Sequence, residues 1–119
     1  MSRSDGLRVW HAARDYADQI CVFCETLPRG VPTGLRGQLM RAANAVPDNI
    51  AEGAGRATRG EKLKYFRYAR GELEESQSQL KGCRKKGLLD DSTYFRLWNR
   101  AVAVGKMLAS LIAGLERGE

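Results

Sequence analysis

Apolar residues recur every three or four positions along most of this chain, and their recurrence divides it into four segments. The first segment covers residues 7–27, where one apolar stripe begins with Leu7, Trp10 and Ala13. A second stripe beside it consists of Val9, Tyr16, Ile20, Phe23 and Leu27. This spacing is the period of an α-helix, and two stripes cover more of a helix than one contact needs. We therefore expect a helix that is covered on two sides, either by helices of the same domain or by another subunit.

Prolines and glycines set the limits of a second helix. Pro28 and Pro32 should end the first helix, because the residue before a proline is biased away from helical geometry. Thr33 is the expected N-cap of the second helix, and Gly53 and Gly55 are expected to end it. Its apolar face is predicted to consist of Leu35, Leu39, Ala42, Ala43, Val46 and Ile50.

A capping box marks the start of a third helix over residues 59–86. Thr58 is its expected N-cap, with Glu61 reaching back to it from the third helical position. Gly87 should stop this helix after a cationic last turn. Its inner face is predicted to consist of Phe66, Ala69, Leu73, Ser76, Leu80 and Cys83.

A fourth helix is predicted over residues 92–116, capped by Asp90, Asp91 or Ser92. Its apolar stripe consists of Tyr94, Leu97, Trp98, Ala101, Val104, Leu108, Leu111, Ile112 and Leu115. No segment shows the alternation of a strand. Four long amphipathic helices with short connections predict an all-α fold, an antiparallel up-down-up-down four-helix bundle that forms a single domain over residues 1–119.

Composition narrows the class of protein. Hydrophobic residues make up 43% of the chain and charged residues 29%, which is typical of a globular protein. No apolar run approaches the roughly 20 residues of a membrane span, and the N-terminus lacks the apolar region of a secretory signal. The chain has three cysteines, an odd number. We therefore expect reduced thiols, a cytoplasmic location and no association with a membrane.

The positive charge is concentrated in the middle of the chain. The net charge is +6, and residues 29–70 alone hold nine basic and three acidic residues. Such an asymmetry favours a polyanionic partner. The alternative is a charged surface that only keeps the protein soluble.

A family resemblance rests on several motifs along the chain. Asn49–Arg56 reads NIAEGAGR, and Leu7, Val9, Trp10 and Ala13 form a Leu-x-Val-Trp-x-x-Ala opening. Further matching positions are Gly34, Leu35, Gln38, Arg41, Pro47, Glu61, Phe66, Gly71, Glu75 and Gly87. With these motifs the chain resembles the 23S rRNA intervening-sequence proteins, also called S23-like proteins. That family includes the accessory variability determinant proteins of diversity-generating retroelements.

The resemblance implies an oligomeric state and candidate binding partners. It implies a bacterial four-helix bundle that forms a homo-oligomer, a ring-shaped homopentamer, with nucleic acid and a reverse transcriptase as candidate partners. The second stripe of the first helix offers candidate residues for the oligomer interface. They are Val9, Tyr16, Ile20 and Phe23.

The basic central segment is the candidate nucleic-acid site. Its candidate residues are Arg41, Arg56, Arg59, Lys62, Lys64, Arg67 and Arg70. The start of the third helix would add outward-pointing amides and the positive end of the helix dipole, which suit a phosphate. Tyr65 and Tyr68 interleave with the cations, either to stack on bases or to pack between helices. The alternative function is a protein-interaction scaffold without affinity for nucleic acid.

The sequence contains no recognisable catalytic constellation. Asn49, Glu52 and Arg56 share one side of the second helix, and we expect them to form a structural polar network. Glu52 has no histidine, serine or cysteine partner in a known catalytic arrangement. Cys21 and Cys24 form a CxxC motif, but both fall on the core stripe, and His11 is too distant along the helix to share a metal with them. We therefore expect a protein that is not an enzyme and that has no metal and no cofactor.

Overall fold

Four α-helices make up most of residues 3–118, the part of the chain that this computed structural model describes. They are α1 (Arg3–Glu25), α2 (Thr33–Ala54), α3 (Arg59–Lys85) and α4 (Asp91–Glu116). The four predicted helices are confirmed. α1 begins four residues before its predicted start, because the apolar stripes that marked it begin only at Leu7.

The helices form a four-helix bundle. α1 packs against α2 and α4, and α3 packs against the same two helices. The connections are short, so successive helices run in opposite directions, as predicted. The bundle measures 48 × 24 × 18 Å. One of its ends therefore holds the first turns of α1 and α3 together with the last turns of α2 and α4.

The second stripe of α1 belongs to the core of the bundle itself. Val9, Tyr16, Ile20 and Phe23 expose 3%, 0%, 0% and 5% of their surface, so their assignment to an oligomer interface is corrected. α2 and α4 cover the two sides of α1, which accounts for its wide apolar surface. The Tyr16 hydroxyl also forms a buried hydrogen bond of 2.8 Å with Ser76 of α3, diagonally across the core. Burial raises the pKa of Tyr16 to about 12.

Caps fix the starts of the helices. The Thr58 hydroxyl accepts a hydrogen bond of 3.1 Å from the Glu61 amide, and the Asp90 carboxylate accepts one of 2.7 Å from the Thr93 amide. The bond from the Thr93 amide lowers the pKa of Asp90. For α2, the N-cap is Pro32 rather than Thr33, because the backbone already becomes helical at Thr33.

Two cations bind the carbonyl ends of preceding helices. Arg36 donates to the carbonyl of Cys24, in the last turn of α1, at 3.2 Å and to that of Leu27, two residues past its end, at 3.0 Å. Lys62 donates to the Ala54 carbonyl, the last of α2, at 3.1 Å. The last carbonyls of a helix have no partner within it, so both side chains stabilise a helix end. Part of the central positive charge therefore has a structural role.

Glycines end α3 but not α2 in the predicted way. Gly87 adopts φ +71° directly after α3, and the Leu88 amide bonds back to the Cys83 carbonyl at 3.0 Å. This is the hydrogen bond of a Schellman motif, which requires the left-handed conformation that glycine tolerates. Gly53, which was expected to end α2, instead lies buried inside that helix against Phe66. The C-cap is Gly55.

Candidate nucleic-acid interface

Cations from distant parts of the sequence meet at one end of the bundle. A groove of about 400 Å³ between the start of α1 and the end of α4 is lined by Arg8, Lys106 and Arg117. From α3, Arg67 forms an ion pair of 3.2 Å with Glu116 near the end of α4. The Arg59 guanidinium extends to the same place, beside Gly118.

We call this region the basic end. Among the side chains that the structure describes it holds nine cations, Arg8, Arg56, Arg59, Lys62, Lys64, Arg67, Arg70, Lys106 and Arg117. Five carboxylates accompany them, Asp5, Asp48, Glu52, Glu61 and Glu116. The local excess of positive charge is therefore four. Reasoning along the sequence missed Arg8, Lys106 and Arg117, because only the antiparallel order of the helices brings them to the start of α3.

The side chains at the start of α3 differ in their partners. Arg59, Lys64 and Arg70 are exposed, and none of them forms an ion pair with a residue that the structure describes. Arg70 lies about one turn beyond Arg67, just inside the basic end. Among the cations in the first half of α3, these three are the ones most available to an external anion.

Arg56 organises the junction between α2 and α3. It forms ion pairs with Glu52, in the last turns of α2, and with Glu61 at 3.5 Å. It also donates a hydrogen bond of 2.9 Å to the Tyr65 hydroxyl, and its guanidinium lies 4.7 Å from the centre of that ring. Asn49 lies outside this cluster and donates instead to the Ala45 carbonyl at 2.8 Å. Of the three residues expected in the polar network, Glu52 and Arg56 therefore belong to this cluster, together with Glu61 and Tyr65, and Asn49 does not.

Arg41 lies away from the basic end and has carboxylate partners of its own. It binds Glu72 at 3.1 Å and Glu75 at 2.8 Å, both on α3. The hydrogen bond to Glu75, supported by the charges of both carboxylates, raises the pKa of Arg41. Two carboxylates outweigh one guanidinium, so this spot does not attract a phosphate. Arg41 joins α2 to α3 rather than completing the basic end.

Two tyrosines stand beside the cations of α3. The rings of Tyr65 and Tyr68 meet edge to face, with centres 5.8 Å apart and planes at 88°. The Lys64 ammonium lies 5.5 Å from the centre of the Tyr65 ring and 6.0 Å from that of Tyr68. Tyr65 is partly buried, whereas Tyr68 exposes 51% of its surface. Of the two, Tyr68 is the one that solvent reaches easily.

Two of the three cysteines lie in the core. Cys24 and Cys83 are buried, and burial raises the pKa of Cys24 to about 12, so that thiol stays protonated and unreactive. Within residues 3–118, no three histidine, cysteine or acidic side chains lie close enough together to bind a metal ion. None of the helices described is both long and apolar enough to cross a bilayer.

Comparison with known proteins agrees with this architecture. The family described as 23S rRNA-intervening sequence protein matches residues 5–110. A protein of unknown function from the S23 ribosomal protein family of Bacteroides thetaiotaomicron superposes with a TM-score of 0.83 at 19% identity. The superposition covers 87% of this chain and 97% of the other, and it supports the fold alone. No curated protein matches the sequence.

Proposed function

The chain belongs to the 23S rRNA-intervening sequence protein family, and from this premise we propose that it is a non-catalytic protein that binds nucleic acid through its basic end. One observation carries the proposal: cations that are far apart in the sequence converge there. Arg59, Lys64 and Arg70 are exposed and have no ion pair within the described chain, so an incoming phosphate would not have to displace a carboxylate from them. Glu52, the one carboxylate considered for catalysis, is engaged by Arg56.

The helix termini add to the attraction for phosphate. α1 and α3 both begin at the basic end, and the N-terminus of a helix carries a partial positive charge. Contacts between cations and phosphates release counterions, so the affinity depends steeply on salt. Binding of this kind follows the backbone and requires no particular base sequence.

A salt titration tests the proposal. The full-length protein should bind a fluorescent single-stranded RNA or DNA in an anisotropy assay at about 50 mM salt. With three to four phosphate contacts, log K should fall against log salt with a slope of about −2 to −3, since each contact on a single strand contributes roughly −0.7. The proposal would be overturned if neither nucleic acid bound at about 25 mM salt, where electrostatic binding is strongest.

A second candidate function, protein interaction, is favoured by an apolar groove. The groove lies between the start of α1 and the end of α2, has a volume of about 530 Å³ and is lined largely by apolar atoms. Leu7 and Trp10 form its wall on α1, and Leu7 exposes 56% of its surface. We infer that this groove, in place of the buried stripe of α1, carries the contact between copies of the chain in a homo-oligomer.

Sedimentation tests this contact. We expect a mass several times the 13.2 kDa of the chain, and a shift toward the monomer when Leu7→Asp places a charge in the groove. Phe95→Asp is the matched control, because Phe95 exposes 46% of its surface but lies at the start of α4, away from the groove. A wild-type protein that sediments at 13.2 kDa, or a control that dissociates equally, would contradict the assignment.

A further inference from the structure

Tyr65 and Tyr68 differ in how firmly their surroundings hold them. Tyr65 packs against α2, where its Cβ would lie 3.1 Å from a Cβ added at Gly53. Arg56 binds its hydroxyl and lies over its ring. Tyr65 is thus held in place by α2 and by Arg56.

Tyr68 has a different environment. Its ring meets Tyr65 edge to face, and 51% of its surface is exposed. Its hydroxyl makes no hydrogen bond to any residue within the described range. A tyrosine that served only to pack helices together would be buried, as Tyr16 and Tyr94 are. Tyr68 therefore presents aromatic surface to solvent from a supported position.

The charges around Tyr68 suit a nucleotide. The Lys64 ammonium is 6.0 Å from the centre of the Tyr68 ring, at a distance from which it can meet a phosphate flanking a stacked base. The nearby carboxylates are engaged: Arg56 binds Glu52 and Glu61, and Arg41 binds Glu72. Little free negative charge is left to repel a strand at this position.

Building on the proposed function, we propose that Tyr68 stacks on an unpaired base while Lys64 contacts the neighbouring phosphate, so that the protein prefers single-stranded over double-stranded nucleic acid. The bases of a duplex are paired and stacked on one another, and a ring on the protein surface cannot reach their faces without opening the helix. A duplex would meet only the cations. Stacking accepts every base, because each has a π face, so the preference is for strandedness and not for sequence.

Paired binding assays test this inference. The probes are an unstructured strand of about 12 nucleotides and the duplex formed with its complement, each titrated with the wild type, Tyr68→Ala and Tyr68→Phe. Tyr68→Ala should weaken binding of the single strand about 5- to 150-fold and leave duplex binding nearly unchanged. Tyr68→Phe should retain the wild-type preference, because stacking needs the ring and not the hydroxyl.

A second aromatic residue provides the matched control. Phe95 is 46% exposed beside Arg84, whose guanidinium lies 4.8 Å from the ring centre, but at the opposite end of the bundle. Phe95→Ala should leave the affinity for both the single strand and the duplex unchanged. The stacking role would be overturned if Tyr68→Ala bound the single strand as tightly as the wild type, or if it lost affinity equally for the strand and the duplex. Either result would leave the role of the basic end in place. Failure of the wild type to bind either probe would instead refute the proposed function.

Discussion

Replacing Arg59, Lys64 and Arg70 together by glutamine is expected to weaken the binding of a single strand about 100-fold at about 0.1 M salt, and to flatten the salt slope by about 2. Each lost phosphate contact removes roughly 0.7 from the slope, and three contacts at this salt correspond to about two decades of affinity. The three side chains are exposed and unpaired within the described chain, so their replacement leaves no carboxylate without its partner. Anisotropy titrations at several salt concentrations measure both quantities.

A control with the same change in net charge separates location from total charge. Arg29, Lys85 and Lys86 are exposed at the opposite end of the bundle, and their replacement by glutamine also removes three positive charges. That variant should keep most of the affinity and most of the slope. In both variants the free energy of unfolding should differ from that of the wild type by no more than about 0.5 kcal/mol per substitution, as is usual at exposed positions. Equal loss of binding in the two variants would assign the affinity to net charge, and the basic end would lose its special role.

The helices and their caps could be predicted because their signals are local. A 3.6-residue period identified the inner face of α3, and the six residues predicted there are the six that are buried in it. The caps at Thr58, Asp90 and Gly87 depend on hydrogen bonds between residues a few positions apart, so a short stretch of sequence contains every residue of each cap. Pro32 took the place of Thr33 as the cap, a difference of one residue that cap preferences do not resolve.

The position of the candidate site could be predicted only in part, because it depends on which helices meet. The central cluster of cations is visible in the sequence, but Arg8 and Arg117 join it only through the antiparallel order of the bundle. Arg41 looked equally available until the fold placed Glu72 and Glu75, more than thirty residues away, against it. The width of the apolar surface of a helix likewise indicates how many neighbours cover it, but not whether those neighbours belong to the same chain or to another subunit. Val9 and Ile20 were therefore open to both interpretations until the packing of α1 assigned them to the core.

Gly53 has a role that its neighbours in the sequence do not reveal. A glycine pair near the end of a helix normally indicates a turn. Gly53 instead lies inside α2, where a Cβ would come within 2.8 Å of the Phe66 ring and 3.1 Å of Tyr65 Cβ. The glycine lets α2 and α3 approach closely at the point where Tyr65 begins to support Tyr68. The partner that makes it necessary is thirteen residues away in another helix, so the sequence around Gly53 does not reveal it.

Gly53→Ala is therefore expected to destabilise the protein by about 1–3 kcal/mol, the usual cost of adding a methyl group to a packed interior. Alanine favours a helix over glycine by about 1 kcal/mol, but Phe66 is fully buried, and in a close-packed interior its ring can move only by displacing its neighbours. Urea unfolding followed by circular dichroism measures the change. Gly53→Ala should also reduce the binding of single strands, because it displaces the residues on which Tyr68 rests.

Gly55→Ala is the matched control two residues away. Gly55 is exposed at φ −85°, and a Cβ there would meet only carbonyl oxygens at 3.7 Å, an ordinary contact. The free energy of unfolding of the Gly55→Ala protein should differ from that of the wild type by less than about 1 kcal/mol. Phe66→Leu in the Gly53→Ala background should recover part of the loss, so that the two substitutions together cost less than the sum of their separate effects. Additive costs, or a Gly53→Ala protein as stable as Gly55→Ala, would show that Phe66 is not what requires glycine at position 53.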